Sequence, residues 1–423
     1  MLDIKIIREK PGEVEKNLKR RHDPEKLKLL KELIAKDTEL RKVIKKVEKL
    51  RHERNVVSQE ISKKKDKNKI QRMREIKEKI MDLESKRTEL EVITKNMLMQ
   101  IPNMLHESVP YGKDDEDNKL VRSWGKPPRF SFKPKNHMEI LQELGLIDAE
   151  RAAKVAGHGF FYYKGELALL DYALIKFTID FMMKRGYTLI EPPFMLQRKP
   201  YEGVVSMEDF ENVMYKIEGE DLYMIATSEH PIAAMFMNEV IDKKDMPLKF
   251  VGISPCFRKE VGAHGKYTKG LFRMHQFNKV EQFIFCLPEQ SWKLHEELQK
   301  NAEDLYKKLG LPHRVMNVCT GDIGELAAKK YDTDLWMADG KFREAGSNSN
   351  CTDYQARRLN IRYREKEGAP PAGFVHTLNN TAIATSRTML AILEVYQQKD
   401  GSVKIPKVLW PYMGGIKILK KTN

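Results

Sequence analysis

The chain has 423 residues, with 76 Lys and Arg against 61 Asp and Glu, a formal net charge of +15. At about 100–200 residues per domain, that length holds two or three domains. No run approaches the roughly 18 apolar residues of a membrane span, and the opening MLDIKIIREKP carries Asp3, Lys5 and Arg8 where a secretory leader needs an apolar run. Four cysteines, none spaced C-x-x-C, argue against a disulfide scaffold or a Cys-rich zinc site and for a reducing, cytoplasmic compartment.

The basic surplus is not spread evenly. Residues 1–110 hold 30 Lys and Arg against 20 Asp and Glu, whereas the remaining 313 residues are nearly balanced. A polyanion is therefore the expected partner of the N-terminal module. In that module, residues 26–61 place Leu29, Leu33, Leu40, Val43, Val47, Leu50, Val57 and Ile61 at alternating three- and four-residue steps, interrupted at Lys36 and Arg54. This is the repeat of a coiled coil. The run KKKDKNK breaks it with Lys63, Lys64, Lys65, Lys67 and Lys69. The seam resumes through Ile70, Met73, Ile80, Leu83, Leu90, Met97 and Ile101 and stops at Pro102. Two helices of about 35 residues joined by a polar turn predict an antiparallel hairpin roughly 50 Å long with a lysine tip. Such a hairpin serves either as a solvated dimerisation device or as an arm that grips a nucleic-acid backbone. The lysine tip favours the second.

Residues 106–135, rich in Pro, Gly and Asp, read as a linker. Beyond them the pattern predicts an α+β domain over 136–423. It has a helix over 167–183, strands near 187–196, 222–226, 249–253, 271–285 and 313–318, and helices near 229–242 and 287–309. Neither G-x-G-x-x-G after a strand nor G-x-x-x-x-G-K-[ST] occurs. In the block Cys256–Phe285, Arg258 and Glu260 on one leg of a hairpin would face Phe277 and Glu281 on the other. That set suits an anionic, aromatic ligand, or a surface hairpin with cross-strand ion pairs. In Leu378–Tyr412, Arg387 follows Thr385 and Ser386 at the start of an apolar helix, a place that suits an anion or a structural ion pair.

The wording of these blocks carries a resemblance. FRKE (257–260) followed by GLFRMHQFNKVEQF resembles motif 2 of class II aminoacyl-tRNA synthetases, NNTAIATSRTMLAILEVYQQKDG resembles motif 3, and RGYTLIEPP (185–193) looks like motif 1, the strand that builds the dimer. TSEHPIAAM, TGDIGELAAKKYDTDLWM, SNCTDYQARR, KIPKVLWPY and the N-terminal hairpin are similar to the seryl-tRNA synthetase family, in an archaeal-like spelling. The resemblance spans essentially the whole chain. It implies an N-terminal coiled-coil arm within a tRNA-binding domain (1–105), an antiparallel-sheet catalytic domain, and a homodimer with tRNA(Ser), and tRNA(Sec) where present, as partner.

It further implies that Thr227 and Glu229, with Ser228 between them, hold the ammonium of L-serine. Arg258 would bridge the serine carboxylate and the ATP α-phosphate. Glu260 and Phe277 would meet adenine, and Glu281 and Thr381 would read the serine hydroxyl. Glu344 and Ser347 would contact Mg²⁺ and phosphates, and Arg387 the γ-phosphate. Lys259, Met274, Ala345 and Gly346 complete the implied ATP site. The five tip lysines would bind tRNA. Position 381 is Thr where many relatives have Ser, which keeps the hydroxyl. The cysteines are read as small buried hydrophobes, and His230, His264 and His275 as structural or tRNA-facing. Two other readings carry weight: a paralogue that charges a carrier protein, which would lack the arm, and an inert RNA-binding relative, which would not keep Arg258, Glu281 and Arg387 together.

Overall fold

The computed structural model describes residues 1–63, 66–206, 213–260 and 270–421. These form two compact units, Met1–Met104 and Leu105–Asn423.

The first unit is helical: α1 (Ile4–Glu9), α2 (Pro11–Arg20), α3 (Pro24–Lys63) and α4 (Lys67–Met99). Pro11 and Pro24 each open a helix, where the missing N–H costs nothing. At 1.5 Å per residue, α3 and α4 run about 60 and 50 Å, and they pair as the expected hairpin. Leu33, Leu40, Val43, Val47 and Val57 of α3 are buried with Ile76, Ile80, Leu90 and Leu98 of α4. The seam departs from the spacing prediction in several places, with Ile76 and Thr94 of α4 also buried. Leu30 and Leu98 are the buried positions at the base, with Leu29 and Met97 half-buried, and Ile70 near the tip is exposed. The polar step falls on Asp37, not Lys36: Asp37 is buried and takes Arg8 of α1 in two bonds of 2.8 and 2.6 Å. A bidentate guanidinium satisfies a carboxylate that the seam would otherwise leave bare. Between the helices, Arg51–Glu84 (2.5 Å), Arg72–Glu53 (2.5 Å) and Lys86–Glu39 (2.7 Å) are exposed pairs that set register more than stability.

The second unit is built on an eight-stranded sheet: β1 (Lys119–Trp124), β2 (Thr188–Ile190), β3 (Leu248–Phe257), β4 (Gln276–Cys286), β5 (His313–Asn317), β6 (Lys329–Trp336), β7 (Phe342–Asn350) and β8 (His376–Ala384). The order is β1-β5-β6-β7-β8-β4-β3-β2, antiparallel except for the β2–β3 edge. Two sequence expectations are corrected here. Residues 119–124 lie inside the segment read as a linker, yet pair with β5 from Lys119↔Asn317 to Trp124↔His313. The helix expected over 229–242 ends at Ala234, because Asn238 takes a φ of 66° and residues 240–242 form a short parallel strand with 362–364.

Strand alternation divides the sheet into two faces. Val280 and Ile284 of β4 pack into a core with α6 (Glu166–Met183), α8 (Ser291–Leu309) and α9 (Thr385–Tyr396), of which α5 (His137–Leu144) is also part. Phe283 and Phe285 face the other way, toward Tyr201, Ile232 and Ala356; Ile232 lies on α7 (Glu229–Ala234). Beneath α8 the sheet presents amides, not methyls. Asn348 and Asn380 donate to the His295 and Leu298 carbonyls (2.9 and 2.7 Å), Gln282 donates to the Leu298 carbonyl (3.3 Å), and Asn301 donates to Gln282 (2.8 Å). All four residues are buried, and these bonds offset most of the cost of burying amides, with the Asn348 Oδ1 left unpaired.

Candidate active site

One cavity of ≈420 Å³ opens on the odd-numbered face of β4, at the centre of the sheet. Alternation along β4 puts Phe277, Lys279 and Glu281 in a row on its floor. Thr381 of β8 is directly opposite Glu281 in the ladder, and its hydroxyl donates to Glu281 Oε2 at 3.2 Å. A β-bulge follows between Thr381 and Ile383 and re-aims the strand as it enters α9. Lys279 Nζ lies 2.7 Å from the same oxygen, with side-chain exposures of 7% and 1% for the pair. Burial pushes the Glu281 carboxyl up, and the Lys279 ammonium is the largest influence opposing it.

Glu229 enters from α7. The Thr227 hydroxyl accepts the Glu229 N–H (3.1 Å), and Asn379 donates to Glu229 Oε1 (3.0 Å). Gly252 lets α7 come this close, since a Cβ there would stand 2.5 Å from Ile232 Cδ1 and 2.9 Å from Ser228 Oγ. Burial, reinforced by the Glu281 charge, raises the Glu229 carboxyl to about 7. A carboxylate that must be ionised to hold an ammonium is then only about one-tenth competent at pH 6. The KM for a cationic-amine substrate should therefore rise roughly tenfold between pH 8 and pH 6, checked by initial rates at each pH.

Arg258 lies one residue past β3, its guanidinium 5.2 Å from the Phe277 ring centroid and its Nε 3.4 Å from the Ala226 carbonyl oxygen. His275 holds this turn in place: its backbone carbonyl accepts the Arg258 N–H (3.0 Å), and its Nδ1 is 2.9 Å from the Tyr215 hydroxyl and from the Arg258 carbonyl oxygen. Burial drives His230 well below its ordinary value, so it is neutral, against Tyr201 at 3.0 Å. Both histidines act as structural groups, and His264 lies outside the described residues.

At the far end, Arg387 sits in the first turn of α9. Its Nη1 donates to the Glu344 carbonyl (3.0 Å) and to Glu344 Oε1 (3.2 Å), and its guanidinium covers the Phe272 ring at 4.7 Å. The Glu344 side chain is 46% exposed; partial desolvation works against its charge, but Arg387, Lys330 and Arg258 together hold the carboxyl below its usual range. Ser347 Oγ donates to Asp332 Oδ1 at 2.6 Å and lies 3.4 Å from Glu344 Oε1. Burial, opposed mainly by Lys330, raises the Asp332 carboxyl to about 7. A Cβ at Gly346 would stand 2.7 Å from Thr381 Cβ. Gly346→Ala should thus displace Thr381 from Glu281 and raise on the order of tenfold the KM of a substrate whose hydroxyl this pair reads, checked by initial rates.

Of the implied residues, Thr227, Glu229, Arg258, Phe277, Glu281, Glu344, Ala345, Gly346, Ser347, Thr381 and Arg387 line the cavity together. Ser228, Lys259, Glu260 and Met274 are not in its lining. Ser228 is buried against Gly252, Lys259 is held by its backbone N–H on the Val213 carbonyl (3.0 Å), Glu260 pairs with Arg273 (3.2 Å), and Met274 accepts from the Tyr163 hydroxyl (3.3 Å). Lys279, Asn379, Asp332 and Lys330 are cavity or neighbouring groups that motif reading passed over. For Lys279, strand alternation between Phe277 and Glu281 was signal enough. The four cysteines are all buried.

Comparison with known proteins matches residues 1–105 to the family described as Seryl-tRNA synthetase N-terminal domain, and residues 212–396 to tRNA synthetase class II core domain (G, H, P, S and T). A serine–tRNA ligase of Methanocella arvoryzae is 52% identical over 99% of this chain and 100% of that protein. The chain belongs to the seryl-tRNA synthetase family. Its enzyme class is accordingly serine–tRNA ligase, a class II aminoacyl-tRNA synthetase. The crystal structure of the seryl-tRNA synthetase from Pyrococcus horikoshii complexed with ATP covers all of both chains, with a TM-score of 0.96 and 48% identity. The cytoplasmic serine–tRNA ligase of Naegleria fowleri in complex with AMP matches at TM-score 0.90 and 36% identity over 100% of this chain and 99% of that one. The archaeal flavour of the spelling is borne out by these archaeal relatives. Among the described residues no helix is long and apolar enough to cross a membrane.

Proposed function

We propose that this seryl-tRNA synthetase activates L-serine with ATP to seryl-adenylate and transfers the seryl group to the 3′ end of tRNA(Ser), and of tRNA(Sec) where that tRNA exists. The observation that carries the reading is the buried Glu281–Thr381 pair on the cavity floor, between Glu229 on one side and Arg258 with Phe277 on the other. A small amino acid with a hydroxyl satisfies all three. Its ammonium meets Glu229 beside Thr227, its carboxylate meets Arg258, and its hydroxyl donates to Glu281.

Adenylate formation is an in-line attack of the serine carboxylate on the α-phosphorus, with pyrophosphate leaving. Both reactants are anions, so positioning and charge neutralisation carry the step without a protein nucleophile. Arg258 neutralises the carboxylate and α-phosphate as they approach, Phe277 stacks on adenine, and Arg387 holds the terminal phosphate. Glu260, Lys259 and Met274, which the resemblance assigns to the ATP site, stand outside the cavity lining in this structure. Glu344 and Ser347, hard oxygen donors 3.4 Å apart with Asp332 adjoining, fit the one or two protein ligands that Mg²⁺ takes beside phosphates. Bound there with ATP, Mg²⁺ would supply Lewis-acid neutralisation of the phosphates.

Residues 1–105 form the tRNA-binding domain in this reading. Lys63, Lys67 and Lys69 stand at the tip of the hairpin; Lys63 and Lys67 are exposed and Lys69 pairs with Glu60 at 2.9 Å. Lys64 and Lys65 lie outside the described residues. A homodimer is supported by β2, the motif 1 strand, at the sheet's edge, and by the exposed apolar side chains of Leu169, Tyr172, Met183 and Leu189 on α6 and β2. A cytoplasmic setting is the one we infer, in keeping with four free cysteines and a reaction that serves translation. ATP–pyrophosphate exchange against all twenty amino acids tests the whole reading: serine alone should support exchange, and exchange with a different amino acid would overturn it.

A further inference from the structure

We propose that Lys279 is the resident counter-ion of Glu281, a positioning residue that reserves this carboxylate for the serine hydroxyl and keeps it from capturing the serine ammonium. The inference rests on the serine-activation reading and deepens it.

The geometry is specific. Lys279 and Glu281 are two residues apart on β4 and so share a face. The ammonium is 2.7 Å from Glu281 Oε2, and both side chains are almost wholly buried. The Thr381 hydroxyl donates to that same oxygen. Both protein donors therefore converge on Oε2 of a carboxylate that also lines the cavity.

The count of charges explains why a lysine belongs there. Among the described residues that line the cavity, two carboxylates, Glu229 and Glu281, and two cations, Lys279 and Arg258, are close enough to act on one another's charge. Serine brings one positive and one negative group. With Glu281 neutralised internally, the ammonium has Glu229 and the carboxylate has Arg258, and the remaining ion pair meets the one uncharged group of the substrate. Without Lys279, the buried Glu281 and the half-buried Glu229 would compete for a single ammonium. An ammonium drawn to Glu281 would leave the hydroxyl unread and the reacting carboxylate out of line. Removing one partner of a buried pair also leaves its mate bare, which is why the effect should be large.

The test uses the full-length chain and serine-dependent ATP–pyrophosphate exchange, with Lys279→Met, Glu281→Gln and the double variant. Lys279→Met should raise the serine KM on the order of 10²-fold and leave the ATP KM within about threefold. In the Glu281→Gln background the same substitution should cost less than about tenfold, because the charge it served is gone. A serine KM for Lys279→Met within about threefold of the parent overturns the proposal. So do serine and ATP KM values that rise in step, or an undiminished cost in the Glu281→Gln background. Should Lys279→Met fail to fold, the double variant, which removes both charges, should fold; failure of both would show that the lysine serves another partner. A parent enzyme that exchanges with serine alone, beside an unaffected Lys279→Met, sinks this inference and leaves the functional reading standing. A parent with no serine-dependent exchange sinks the functional reading itself.

Discussion

Glu281→Ala should reduce serine-dependent ATP–pyrophosphate exchange by about 10⁴-fold while tRNA binding stays nearly intact. The size follows from what the carboxylate does. A site built to hydrogen-bond a substrate hydroxyl loses discrimination of this order when the partner is missing. Here the substitution also removes the acceptor of the Thr381 hydroxyl and strands the Lys279 ammonium at a position with 7% side-chain exposure. An unpaired buried charge of this kind costs about 3–5 kcal/mol by itself, so part of the loss will appear as a lower Tm. Glu281→Gln separates the two effects, since it keeps the shape and an acceptor. Single-turnover adenylate formation and a filter-binding titration of tRNA on the same preparation make the comparison. Exchange within tenfold of the parent would remove Glu281 from the serine site.

The second large effect concerns the hairpin. Deleting residues 28–100 should spare adenylate formation and lower kcat/KM for tRNA charging by on the order of 10²-fold or more. The surplus of positive charge in residues 1–110 sits almost wholly on a compact unit of its own, so the sheet domain keeps its core without it. Charge reversal at Lys63 and Lys67 offers a milder version. The log of tRNA affinity against log salt should flatten by about one unit for each phosphate that is no longer neutralised. Undiminished charging by the deletion variant would refute the arm's part in tRNA binding.

Much of this is readable from residues alone, and the exceptions share a cause. The α3–α4 seam announces itself because an exposed hairpin must alternate leucine and valine with charge; it slips by one residue at the base, opens at Ile70 near the tip, and admits a carboxylate where Asp37 finds Arg8. The motif residues Arg258, Phe277, Glu281, Thr381 and Arg387 do share one cavity. By contrast β6 and β7 offer no apolar alternation to follow. Asp332, Thr333, Asp334, Ser347 and Asn348 are central-strand residues whose polar groups are spent on the site, on α8 and, for Asp334, on Arg314 of β5, so the strands do not look like strands. Lys279 is hidden for a related reason: a lysine in a charged sequence reads as surface until its neighbours along the strand show that it faces inward. The helix foreseen through residue 242 stops at Ala234, and the left-handed Asn238 then leads the chain into a strand.

The amides beneath α8 have a consequence for how this enzyme is assembled. Gln282, Asn380 and Asn348 sit on three adjacent strands, and their partners are Asn301 and the backbone carbonyls of one helix. A methyl-lined face would tolerate a sliding strand, because one aliphatic group substitutes for another. An amide has a fixed address. Should β4 shift by one residue, Gln282 would lose its bonds and Phe277, Lys279 and Glu281 would all turn to the wrong side. The back of the sheet thus works as a combination lock for the front, and accuracy in choosing serine begins with a folding step that accepts only one alignment.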